Sequence, residues 1–167
     1  QLALDGYRGV WVDGNAATID SIAKALNGLV FDDLLVIAQR VSMTSAAGLA
    51  KRARYFLATP SIDLLSLDIV GNDLHVLPAF VSCLSPKLVC VEYNAKFPPP
   101  TRLVMGYDEA HSWGYDDYFG ASLQSWTDAF QVLGYSLVAC NLSGANAFFV
   151  RDDLVHAFTR YPIEALY

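Results

Sequence analysis

The chain has 167 residues, 54% of them hydrophobic, and a formal charge of −6. That is about one domain's length, and its apolar residues come in short bursts, none approaching the roughly 20 that a membrane-crossing helix needs. An acidic balance with scattered Lys and Arg excludes a general phosphate-backbone binder, and the tightest basic group, "KRAR" at 51–54, reads as one solvated turn of a helix. No nucleic-acid or membrane partner is expected.

In chain order the pattern alternates. "YRGVWVDG" (7–14) is a β-rich run ending in Asp-Gly, and "NAATIDSIAKALNG" follows with Ile19, Ile22, Ala23 and Leu26 at helical spacing and Gly28 at the C-cap position. "DLLVIAQRVSM" (33–43) is the second strand, and "TSAAGLAKRARYFL" the second helix, with Thr44 or Ser45 as N-cap. "IDLLSLDI" (62–69) is apolar on both faces, as in a covered parallel sheet. "DLHVLPAFVSCL" returns to helix, and Pro78 must lie in its first turn or kink it. "KLVCVEYN" (87–94) is the fourth strand. A βαβαβαβ order predicts an α/β fold with a mostly parallel sheet.

Beyond it lies a loop at 96–120, rich in Pro, Gly and aromatics and far longer than the roughly 2–6 residues usual for such a connection. A helix, "ASLQSWTDAFQVLG", follows, with Ser122 in its first turn and no nucleophile-elbow context. Two β runs then form an antiparallel hairpin about Ser143–Asn146. Residues 1–167 read as one domain. Cys83, Cys90 and Cys140 lack C-x-x-C spacing; an odd number without a visible signal peptide suits a reducing, cytoplasmic setting.

Three of the four early strands end in an acid: Asp13, Asp68 and Glu92. Open parallel sheets bind ligands outside the carboxyl ends of their strands, and a lone carboxylate is costly inside a strand yet tolerated at its wet end. Structural alternatives exist for each. Asp13 could close an Asp-Gly turn, Asp68 could cap a helix, and Glu92 could pair with a nearby Lys or Arg. Recurrence at one point of successive units favours a shared site.

"IDLLSLDIVGNDLHVL", "PKLVCVEYNAKFPP", "YFGASLQSW" and "LGYSLVACNLSGANAFFVRDDL" together resemble a branch of the FkbM-like, S-adenosylmethionine-dependent methyltransferases, in order from about Gly6 to Leu154. The resemblance implies a Rossmann-like class I methyltransferase sheet, seven-stranded with its last strand antiparallel, and O-methylation of a small-molecule or sugar hydroxyl. It implies that Asp13 holds the ribose hydroxyls of S-adenosylmethionine, with Gly14 beside it. Asp68, Gly71 and Asn72 would stand near its methionine part and the reacting methyl. Glu92 and Asn94 would lie on the substrate side, and the long loop with Trp113, Tyr115 and Tyr118 would form a lid. His111 is the candidate base, because an unperturbed imidazole titrates near neutral pH. His75 and His156 read as packed or exposed histidines, and no metal is expected.

Two departures stand out. The family's first strand and glycine-rich turn have no counterpart in these residues, so the chain is expected to be the C-terminal two thirds of a longer domain, lacking the strand between the units of Asp13 and Asp68. Where relatives read Asp-Ile-Asp-Gly-Asn-Asp, this chain carries Val70, which removes one carboxylate. An inactive methyltransferase-like binding or scaffold module is the alternative function. A nucleotide-sugar transferase ranks last, because Val70 breaks the Asp-x-Asp pair it would need.

Overall fold

Helices and strands alternate as the apolar spacing requires. The computed structural model describes residues 5–25 and 33–167. The elements are β1 Gly9–Asp13, α1 Ala16–Ala25, β2 Leu34–Ala38, α2 Ala46–Leu57, β3 Leu64–Leu67, α3 Asp73–Leu84, β4 Leu88–Glu92, α4 Leu123–Val132, β5 Tyr135–Cys140 and β6 Asn146–Arg151, then a 3-10 turn Val155–Ala157 and a short α5 Ile163–Leu166. The expected Leu26 and Gly28 positions of the first helix lie outside the described residues. No described helix is long and apolar enough to cross a membrane.

The fold is mixed α/β, mostly parallel with an antiparallel end, but it holds two sheets where one was expected. β1 and β2 pair in parallel as a two-stranded sheet. The second has the order β3-β4-β6-β5, with β3 parallel to β4 and β6 antiparallel to both β4 and β5. Among the described residues no ladder joins β1 to β3, so each keeps a free edge. The reading of residues 62–69 as covered on both faces is corrected accordingly: Leu64 and Ser66 are exposed while Leu67 is buried.

Local chemistry explains the boundaries. α2 buries Ala46, Leu49, Ala50 and Ala53, the i, i+3, i+4, i+7 stripe of an amphipathic helix. Lys51, Arg52 and Arg54 of "KRAR" stay exposed, as expected. The second strand stops at Ala38, five residues before its expected end. Its continuation is bent, because the Arg40 carbonyl accepts from the Ser45 hydroxyl at 3.0 Å. Ser45 stands at the N-cap position of α2 without a side-chain cap bond; the Ser42 carbonyl and hydroxyl instead receive the first free amides, Ala46 N–H at 2.9 Å and Ser45 N–H at 3.2 Å. Pro78 lies six residues into α3, beyond the first turn, on the exposed side of a helix that continues past it. Ser122 precedes α4 as its N-cap, and its hydroxyl accepts from Ser125 N–H.

The core lies under β4 and β6. Val89, Val91, Ala147 and Phe149 meet Leu123, Trp126 and Phe130 of α4. Phe130 stacks on Phe149 with centroids 4.0 Å apart. Trp126 is fully buried, and its indole N–H donates to the Glu92 backbone carbonyl at 2.9 Å. A buried indole needs such a partner, and this one ties α4 to the strand end that carries Glu92.

Candidate functional site

The strand end at Asp68 opens into a strained turn. Val70 has φ +59° and Gly71 φ +96°. A β-branched residue rarely enters the left-handed region, whereas Asp, Asn or Gly does so readily. Strain of this sort persists only where the surroundings over-determine it. Here the determinant is Asp73, the first residue of α3. Its carboxylate accepts from Ile69 N–H at 2.8 Å and from Gly71 N–H at 3.1 Å. Sequence reading left Asp73 without a role, although an acid two residues after Gly71 and four after Ile69 is the spacing that reaches back onto both amides.

Asp68 is exposed and caps no helix; the N-cap position of α3 is Asn72. Glu92 ends β4, the parallel neighbour of β3, and is half-buried. Among the described residues no ion pair includes Asp68, Asp73 or Glu92. The structural alternatives for Asp68 and Glu92 therefore fail. That for Asp13 holds in part, since its carboxylate accepts from Asn15 N–H at 2.7 Å.

Asp68, Asp73 and Glu92 lie close enough for their charges to repel one another. Burial, followed by the charges of Asp68 and Asp73, pushes Glu92 up to about 7. Burial also raises Asp73 to about 6, with Asp68 adding to the rise and the backbone amides opposing it. Cys90, on β4, is raised by burial as well.

The long loop is strapped across this edge. Its limbs pair at Val104 and Ala121, with Met105 N–H donating to Gly120 O at 2.8 Å. Asn72 grips Asp108 twice: its amide donates to the carbonyl at 2.7 Å, and its oxygen accepts from the N–H at 3.2 Å. Asn94, fully buried, donates to the carbonyls of Asp117 and Phe119 at 2.9 and 3.0 Å and accepts from Lys96 N–H. His75 donates from Nε2 to Met105 O at 2.7 Å. The amides of Asn72 and Asn94, expected to face cofactor and substrate, are thus engaged by the loop and hold it in place. At the tip Trp113, Tyr115 and Tyr118 are exposed, and the rings of Trp113 and Tyr115 lie 4.7 Å apart.

The strap delivers His111 to the strained turn. A Cβ placed on Gly71 would meet His111 Cδ2 at 2.9 Å and Nε2 at 3.1 Å, so glycine is required for the ring to lie there. His111 Nε2 is buried and has no hydrogen-bond partner. From the other sheet, Arg40 reaches across and donates from Nη2 to the His111 carbonyl at 2.6 Å, while Gly14 packs on the Arg40 backbone. Gly14, Arg40, His111 and Gly71 form one line of contacts between the ends of β1 and β3. Sequence reading missed Arg40, which sits inside what read as a strand.

No group of three or more His, Cys, Asp and Glu among the described residues is arranged to hold a metal ion. No protein-family model, curated protein or solved structure matches the chain.

Proposed function

We propose that the chain is an S-adenosylmethionine-dependent methyltransferase of the FkbM-like kind that acts on a hydroxyl of a small molecule or sugar. The observation that carries this reading is His111. An imidazole nitrogen is buried without a partner, on a glycine that leaves no Cβ in its way, beside a strand end bearing Asp68. Buried polar atoms are nearly always satisfied, so an orphan needs a reason, and a base awaiting a proton is one. The free edges of β1 and β3 also agree with a Rossmann-like sheet whose central strand is supplied from elsewhere.

Asp13 and the carboxyls at the ends of β3 and β4 are the residues that would hold the cofactor. Asp13 accepts one backbone amide on one oxygen, which leaves the other for a ribose diol. The cluster of Asp68, Asp73 and Glu92 suits a sulfonium. S-adenosylmethionine supplies an electrophilic methyl group for in-line displacement. The remaining work belongs to the chain: to align an acceptor oxygen and to take its proton at His111 Nε2. Glu92 changes protonation near neutral pH and can exchange a hydrogen bond with an acceptor hydroxyl. Trp113 and Tyr115 offer a stacking face to an apolar sugar surface. The free thiols suit a cytoplasmic setting.

A second reading, a binding or scaffold module without catalysis, draws on Asn72 and Asn94, whose amides are already engaged. Isothermal titration of the longest natural chain with S-adenosylmethionine and with its demethylated product separates the two. Binding that Asp13→Ala weakens, with the fold intact, supports the enzyme. No heat at millimolar ligand refutes it and leaves the scaffold.

A further inference from the structure

We infer that Arg40 is a positioning residue that clamps His111 over Gly71 and so holds Nε2 at the strained turn that follows β3. Its catalytic meaning rests on the reading above; the clamp itself does not.

Arg40 is fixed before it reaches the loop. Its carbonyl accepts from Ser45 Oγ at 3.0 Å, and a Cβ on Gly14 would stand 3.4 Å from its Cα. The guanidinium therefore projects from a backbone held between the Asp13–Gly14 turn and the start of α2. Its bond to the His111 carbonyl, at 2.6 Å, is short and charge-assisted. On the other side His111 N–H donates to Asp108 O at 3.0 Å, and Asp108 is the residue Asn72 grips from α3's N-terminus. The peptide groups flanking His111 are thus anchored from the segment after β2 and, through Asp108, from the N-terminus of α3, and the imidazole has little choice of direction. The ring lies where Gly71 leaves room, its Cδ2 edge towards that glycine. An exposed histidine on a long loop would average over rotamers and hydrate both nitrogens. This one keeps Nε2 out of water with nothing bonded to it. Enclosure without a bond is costly, and the clamp offsets that cost.

The test is nuclear magnetic resonance of the intact chain with isotope-labelled histidine; there are three histidines, so each ring is assigned by single substitution. The wild type is expected to show a strong dipolar contact between His111 Hδ2 and Gly71 Hα. Arg40→Met should abolish that contact and move His111 to the resonances of a solvent-averaged imidazole, with His75 and His156 unmoved. Arg40→Lys, which keeps a cationic donor, should restore the contact in large part. Gly71→Ala should expel the ring with Arg40 in place. An unchanged contact in Arg40→Met overturns the clamp, as does a failure of lysine to rescue a lost one. Turnover is read separately. A clamp that holds in a chain with no methyl transfer sinks the proposed function and leaves the inference standing. If transfer occurs, Arg40→Met should lower kcat by about 10²-fold, the scale of a misplaced catalytic group, with KM for the acceptor little changed.

Discussion

Replacing Asp73 by Asn removes the buried charge beneath the strained turn and keeps the size. A carboxyl midpoint moved from 3.8 to about 6 in the folded chain corresponds to about 3 kcal/mol. Between those midpoints the folded chain holds a proton that the unfolded chain has released. The associated stability is therefore complete at low pH and is lost as pH rises through about 6. Asn also turns an amide donor towards Gly71 N–H, where the carboxylate accepted, a pH-independent loss of about 1–3 kcal/mol. The variant should thus be the less stable protein near pH 4, and the gap should close or reverse by about pH 7.5. Glu92 adds in the same sense, because removing the Asp73 charge lowers its midpoint from about 7. Urea unfolding of both proteins at the two pH values gives the difference directly. A gap constant to within about 1 kcal/mol would show that Asp73 is ionised at no net cost and that the coupling of the three acids is misread.

Phe130→Ala should lose about 3–5 kcal/mol in the same assay, since the ring is fully buried and stacked on Phe149; exposed Val132→Ala on the same helix should change stability by less than about 0.5 kcal/mol, and equal losses would contradict the packing. Asn94→Ala frees the carbonyls of Asp117 and Phe119. Limited proteolysis between residues 112 and 120 should then accelerate several-fold, and an unchanged rate would mean that the loop is held by other contacts.

The element order was legible because apolar spacing is a local property. Ala46, Leu49, Ala50 and Ala53 announce α2 from sequence alone, and Ser143–Asn146 reads as a turn before Asn141 is seen accepting from Ala145 and Asn146 N–H. The acids at strand ends were legible too, since an ionised side chain has few other places in an apolar run. What escaped was non-local. Nothing near Asn72 or Asn94 says that a loop 23 or more residues away takes their amides, and an arginine after a strand gives no sign that it meets residue 111. The division into two sheets escaped for the same reason: parallel pairing depends on partners far along the chain, and a free strand edge leaves no mark in composition.

That division has a mechanical consequence. Among the described residues, β1–β2 and β3–β4–β6–β5 share one apolar core but no backbone ladder. Dispersion forces between side chains are non-directional, whereas hydrogen-bonded registers are discrete. One block can therefore slide or tilt against the other in small steps without unzipping either. Because the arginine grip on the histidine carbonyl crosses this seam, such a slip would be felt first at the imidazole.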